Sequence, residues 1–346
     1  MTKVFAATSI VSLASSLPVG TASAITRTGV RDDDEFAPII GDGVVTVPIR
    51  FIASLNAYVV QYYLFGERFG GIVDTGSPFL TVPATCSTWS YKYLNGCYRP
   101  ERTRDSGYAN TIEGFDNLQG PVVWRNARFS FDNATASEEE LTFGALGPEL
   151  LDGPGGVFLG LMKNTDRWIR PSFLGQAGYE SFRVDLREKP TLTLSKRPMI
   201  AEGVDHIPLV RDLNRRYRAP VVHYSARPSS FVVNGLPLRL NERYPALVIF
   251  DTGLSGMAVS EELWEGRNLQ ARKNKEKSLW GEVRVTFGTA AGEEVELTAR
   301  QPLTTPLGED TPWTRFKGNL IVLGLAFLDG RAMTVDVDDD KLRFDT

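Results

Sequence analysis

The chain carries the same two-part pattern in each half. An apolar stretch, Gly71-Ile72-Val73, runs into Asp74-Thr75-Gly76-Ser77; a second, Val248-Ile249-Phe250, runs into Asp251-Thr252-Gly253-Leu254-Ser255. The two aspartates are 251 − 74 = 177 residues apart, about half of a 346-residue chain. Each motif has a later partner of two apolar residues, a leucine and a glycine: Val157-Phe158-Leu159-Gly160-Leu161 after the first, Ile321-Val322-Leu323-Gly324-Leu325 after the second. The intervals are 160 − 76 = 84 and 324 − 253 = 71 residues. A lone Asp-Thr-Gly is a common turn, in which Asp bonds its own backbone and Gly bends the chain. Two such turns, each with the same later partner, are an internal repeat, and the repeat divides the chain into two similar halves.

The length suits two units better than one, because single cores stop growing near this size. Glycine (32) and proline (20) are plentiful, and the runs VVTVPIRF, AYVVQYYLF, GGIVDTG and PVVWRNARFSF are β-branched and aromatic between turn residues. These features predict a mostly β chain of short strands. One helix is expected over 260–277, with Ser260 as cap, Glu261 and Glu262 in the first turn, and Arg272, Lys273 and Lys275 in the last. The stretch 182–198 reads as the crossing between halves, and MTVDVDDDKLRFD as a terminal hairpin that turns at Asp338-Asp339-Asp340. Four segments result: 1–24 as a signal or targeting peptide, 25–43 as a polar tail or short pro-segment, then β lobes at 44–190 and 191–346, with regular structure starting at Val44.

The first 24 residues carry one lysine, a moderately apolar middle and Ala22-Ser23-Ala24, the layout of a secretory signal; their Ser and Ala content also suits an organellar transit element. The expected location is the secretory pathway, extracellular or vacuole-like, with a plastid or other organelle lumen as the alternative. Cys86 and Cys97 are close enough for one loop-closing disulfide in an oxidising compartment; two reduced thiols are the other reading. Asn133-Ala134-Thr135 is a glycosylation sequon, of use only in the ER. A net charge of −4 gives no basic footprint for nucleic acid or a membrane surface, and no segment is long and apolar enough for a membrane span.

Two carboxylates brought together from two lobes cannot both ionise cheaply, so the pair holds one proton. The ionised member can take a proton from water while the protonated member donates to a peptide carbonyl, which is hydrolysis without a covalent intermediate. The threonine hydroxyls can bond across to the opposite strand, and Ser77 can donate to Asp74.

On these motifs the chain resembles the pepsin-like aspartic proteases, over roughly residues 44–346. The resemblance implies a bilobal acid protease fold of two six-stranded-barrel-like lobes around a cleft. It implies Asp74 and Asp251 as catalytic residues, supported by Thr75, Gly76, Ser77, Thr252 and Gly253, and Tyr108 as a flap residue that touches substrate. Cys86 and Cys97 sit where the family often has a small disulfide loop. Ile207-Pro208-Leu209 and Ser229–Val233 resemble the opening strands of the second lobe, and Thr334-Val335-Asp336 through Phe344 its closing hairpin. The implied activity is that of an aspartic endopeptidase acting on a peptide or protein substrate as a monomer, with no cofactor and no metal. A pepsin-like lobe pair that grips a peptide without cutting it is the alternative. The sequence departs from the family where Leu254 replaces a Thr or Ser after the second motif, where Ala109-Asn110-Thr111 replace glycines after Tyr108, and where Thr81 replaces a tryptophan. Loss of a hydroxyl at 254 removes one donor to ionised Asp251 and should raise its pKa.

Other chemistries lack their residues. His206 and His223 are the only histidines and neither has a nucleophile in a recognisable setting. There is no H-E-x-x-H or C-x-x-C for zinc, and the glycine-rich stretch 144–156 lacks the Lys-Ser/Thr of a phosphate loop. The acidic runs 138–140 and 338–340 lack the alternating spacing of a calcium loop.

Overall fold

The structure, a computed structural model, describes residues 38–84, 96, 98–115, 118–132, 140–147, 157–164, 170–217, 221–238, 240, 243–260, 263–264, 278–307 and 319–345. The leader, Cys86, Cys97, the sequon, 148–156 and nearly all of the helix expected over 260–277 lie outside these residues.

The fold is mostly β. In the first half we follow β1 (Val44–Ile52), β2 (Ala57–Leu64), β3 (Glu67–Asp74), β4 (Thr111–Phe115), β5 (Leu118–Ser130), β6 (Glu140–Leu146) and β7 (Phe158–Gly160). The middle supplies β8 (Ser181–Asp185) and β9 (Thr191–Ser195). The second half supplies β10 (Pro228–Val233), β11 (Ala246–Phe250), β12 (Met257–Val259), β13 (Val283–Gly288), β14 (Glu294–Ala299), β15 (Asn319–Leu323), β16 (Ala332–Asp336) and β17 (Lys341–Asp345). The described helices are short: α1 (Phe173–Ala177), α2 (Asp212–Tyr217) and α3 (Leu325–Leu328). None is long and apolar enough to cross a membrane. Ser172 caps α1 by accepting from Gly175 N–H, and Gly178 ends it in the left-handed region at φ +69°.

The sequence repeat is a repeat of strand pairing. In the first half β3 runs parallel to β7, with Ile72 opposite Phe158 and Asp74 opposite Gly160. In the second, β11 runs parallel to β15, with Ala246 opposite Asn319 and Phe250 opposite Leu323. Parallel strands covered on both faces read as continuous apolar runs, and both pairs do. Along β11 and β15 the alternation is explicit: Val248, Phe250, Ile321 and Leu323 face the large core, while Leu247, Ile249, Leu320 and Val322 face a smaller cluster with Leu213, Leu254 and Ala258. Burying each such side chain contributes about 1.5–3 kcal/mol.

The glycines that end the later motifs are fixed by close approach. The chain leaving Asp74 crosses over Gly160, whose N–H donates to Phe79 O at 3.0 Å; the chain leaving Asp251 crosses over Gly324, whose N–H donates to Gly256 O at 2.8 Å. A Cβ on Gly160 would overlap Ser77 O, and one on Gly324 would overlap Leu254 O, at equivalent places in the two halves.

The middle segment, expected as a crossing, joins the ends of the molecule. Strand β8 lies between β9 and β16, antiparallel to each, and β9 pairs in turn with β1. The terminal hairpin forms as expected, with Ala332 opposite Asp345 and Asp336 opposite Lys341. Fifteen of the described strands share this one sheet. Buried Asp336 ties the segment after the crossing by accepting from Met199 N–H (2.8 Å) and Ile200 N–H (2.9 Å). Among the described residues, regular structure begins at Ile39 rather than Val44: Ile39–Gly41 pairs with Val44–Thr46 around Asp42-Gly43, both at positive φ (41° and 82°). An Asp-Gly pair in that conformation is a favoured hairpin turn that outweighs the polarity of the preceding tail.

Candidate active site

Both Asp-Thr-Gly motifs sit where an apolar strand meets a turn, and the turns face each other. Within each, the aspartate accepts from the glycine two residues on: Gly76 N–H to Asp74 Oδ1 at 2.7 Å, and Gly253 N–H to Asp251 Oδ1 at 2.8 Å. This local bond points the carboxyl inward.

The threonines clasp the turns together. Thr75 N–H donates to Thr252 Oγ1 (3.1 Å), and Thr252 N–H donates to Thr75 Oγ1 (2.9 Å). Thr75 Oγ1–H donates onward to Phe250 O (2.8 Å), and Thr252 Oγ1–H to Val73 O (2.7 Å). Each hydroxyl accepts once and donates once, so four hydrogen bonds join three polar groups of each turn to those of the other. The glycines are set by the opposing acids: a Cβ on Gly76 would overlap the Asp251 carboxyl, and one on Gly253 the Asp74 carboxyl.

Asp74 and Asp251 are fully buried, as are Thr75, Ser77 and Thr252. Burial raises both carboxyl pKa values. Their surroundings are unequal. Asp74 is bonded by Ser77 Oγ–H and by the Gly76 and Ser77 N–H groups, which favour its ionised form. Among the described residues Asp251 has the Gly253 and Leu254 N–H groups as donors and no hydroxyl, and the adjacent Asp74 charge pushes it further upward. The carboxyls lie within hydrogen-bonding reach of each other, a contact that exists only while the pair holds a proton. Without that proton Asp251 Oδ2 has no partner among the described residues. The richer set of donors at Asp74 favours the charge there and the poorer set at Asp251 favours the proton there, within a pair that titrates as a unit. Leu254 turns its side chain into the smaller apolar cluster.

Of the residues singled out from the sequence, Asp74, Thr75, Gly76, Ser77, Asp251, Thr252 and Gly253 converge. Tyr108 is 39% exposed on the loop before β4, and its described hydrogen bond runs from its N–H to Ser106 Oγ. The inward positions of the β4–β5 hairpin belong to Thr111 and Glu113, since Ile112 between them is 61% exposed. Buried Glu113 pairs with buried Arg170, and sequence reading missed both. An acid at an inward strand position was a readable signal for Glu113; Arg170, in an irregular segment, had none.

The remaining titratable groups are accounted for differently. His223 is buried, which pushes its pKa down to about 3 and keeps it neutral. Asp338, Asp339 and Asp340 pair with Lys163, Lys341 and Arg211 in turn. Two surface cavities, about 320 Å³ beside Arg102, Arg104 and Arg128 and about 260 Å³ beside Asp205 and His206, are not lined by either dyad acid. No family model matches this chain, and no curated protein matches it either.

Proposed function

We propose that the chain is an aspartic endopeptidase of the pepsin-like kind, built as two lobes over 44–190 and 191–346 with the acid pair where they meet. The observation that carries this reading is the reciprocal threonine clasp, which holds two buried carboxyls in mutual contact. A pair held this way, with one member lacking a hydroxyl donor, is a one-proton device. Asp74, the charged member, is the general base that takes a proton from an attacking water. Asp251, the protonated member, donates to the carbonyl oxygen of the scissile peptide. In the tetrahedral diol so formed, Asp74 hands its proton to the departing nitrogen and Asp251 takes one back from a diol hydroxyl; the C–N bond breaks, releasing the amine and the new carboxylic acid. Because both carboxyls are closed from solvent, a peptide enters only after part of the covering structure moves.

The test is incubation of the purified chain with a mixed peptide library between about pH 3 and 7, where such a pair holds one proton. Cleavage that a statine-type mimic blocks, and that is lost in Asp74→Asn and Asp251→Asn by about 10²–10⁴ or more, is the expected result. Undiminished cleavage in either variant removes the assignment. The alternative, a non-cutting peptide binder, is favoured by one observation, the partnerless Oδ2 of Asp251 beside Leu254; tight binding of the mimic with no cleavage at any pH would establish it.

A further inference from the structure

Between the β4–β5 hairpin and the Asp74 turn lies a charged pair with almost no access to water. Glu113 on β4 is 2% exposed and Arg170 is 4% exposed. One guanidinium N–H of Arg170 donates to Glu113 Oε1. The same oxygen accepts from Thr111 Oγ1–H (2.7 Å), whose oxygen accepts from Trp124 Nε1–H on β5 (2.9 Å). The guanidinium carbon stands 4.8 Å from the centre of the Trp124 ring and 5.1 Å from that of Phe79. Those two rings meet edge-on, their centres 4.9 Å apart.

Phe79 links this cluster to the acid pair. It follows Asp74-Thr75-Gly76-Ser77-Pro78 directly, and its carbonyl takes the Gly160 N–H in the crossing described above. Three residues beyond Arg170, Phe173 N–H donates to Pro78 O at 2.9 Å. The segment 170–173 thus holds the loop after Asp74 through its backbone and the hairpin through its guanidinium. The β4–β5 hairpin, bridged by Trp124, Thr111 and Glu113, has its charged anchor to that loop in Arg170.

Stability alone accounts poorly for the pair. Two buried charges gain little over apolar residues of the same size. Glu113 Oε2 and Arg170 Nε also have no hydrogen-bond partner among the described residues, so the arrangement is incompletely satisfied. An incompletely satisfied buried pair between a hairpin and a loop that otherwise belong to different parts of the chain suits an anchor that fixes position. We infer that Glu113 and Arg170 are a positioning pair: their contact fixes where the β4–β5 hairpin stands against the Asp74 turn, and through it how a peptide is held at the acids. The inference rests on the peptidase reading for its consequence in catalysis, and on the contacts alone for its consequence in the hairpin.

The experiment uses the full chain with Glu113→Gln, Arg170→Met and the two combined. Amide hydrogen exchange over 111–115 and 118–124, thermal midpoint, and KM and kcat on one peptide are measured. In Glu113→Gln the guanidinium is left unpaired, so hairpin exchange should rise about tenfold or more while exchange in β16 and β17 stays unchanged. KM should rise about tenfold with kcat within about threefold, the signature of lost substrate holding. The double variant carries no buried charge and should regain thermal stability, yet keep the raised hairpin exchange and KM. It also carries the test if a single variant does not fold. Unchanged hairpin exchange in Glu113→Gln, a rise spread evenly over the chain, or a double variant with the hairpin exchange and KM of the native protein would each overturn the assignment. If the native chain cleaves no peptide, the peptidase reading fails while hairpin exchange, with and without a statine-type mimic, still decides the positioning role.

Discussion

Replacing one hydroxyl-bearing residue with leucine unbalances the acid pair. At Asp74 a serine donates to the carboxylate; at the equivalent place beside Asp251 stands Leu254, buried among Leu213, Leu247 and Ile249. A hydroxyl there would favour ionised Asp251 and lower the values at which the pair titrates. Leu254→Thr should therefore move the kcat/KM profile toward acid. A hydrogen bond to a charged group is worth about 1.5–3 kcal/mol, and one pKa unit corresponds to about 1.4. Superimposed profiles would show that position 254 only packs; an upward shift would mean that a hydroxyl there favours the protonated carboxyl instead. The same raised values bear on stability. A carboxyl whose folded pKa lies above its unfolded value, about 3.9, has its stabilising effect complete below that value and loses it as pH rises toward the folded one. Asp251 is raised, by burial first and then by the Asp74 charge. Asp251→Asn should accordingly leave the thermal midpoint little changed near pH 3.5 and raise it near pH 7. A variant melting no higher than the native chain at pH 7 would show that the buried acid carries no such penalty.

At the scale of elements, the equivalent crossings over Gly160 and Gly324 are the most exacting part of the fold. Gly324→Ala would push a methyl into the carbonyls of Leu254 and Gly256, which are backbone and cannot rotate away. Overpacking of this kind costs about 1–3 kcal/mol, so the midpoint of urea unfolding should fall clearly. Gly178→Ala has open space around it and should show only the smaller cost of its left-handed backbone, about 1 kcal/mol. Equal losses at the two sites would remove the crossing argument. These elements were also the most legible. The repeated apolar-apolar-Leu-Gly could be read because parallel pairing buries both strand faces and so writes a continuous apolar run. Thr75 and Thr252 could be read because their spacing from the acids is fixed by the turn. Arg170 could not be found at all: its partners lie 57 and 46 residues away, at Glu113 and Trp124 (170 − 113 and 170 − 124), and no periodicity connects them.

For the whole molecule the decisive feature is the sheet that takes strands from the beginning, middle and end of the chain. Residues 44–190 expressed alone would keep β8 without β9 or β16, leaving that strand unpaired along both edges with Phe182 and Val184 uncovered. That fragment should be aggregated or poorly folded by size-exclusion chromatography and circular dichroism. Coexpression with 191–346 should recover a soluble complex, because β9 and β16 both come from the second piece. A well-folded monomeric 44–190 fragment would contradict the architecture.

The parallel pairings also order events in time. Asp74 lies beside Gly160, 160 − 74 = 86 residues later, and Phe250 beside Leu323, 323 − 250 = 73 residues later. Closing such long loops is entropically slow compared with local hairpins such as β16–β17. On a ribosome the second turn cannot be completed until Leu323 has emerged, and the β8 edge stays open until Ala332–Asp336 follows. The acid pair is thus assembled only after the residues up to Leu323 have been made, which keeps the growing chain from carrying a formed pair while its earlier segments are still unfolded and exposed.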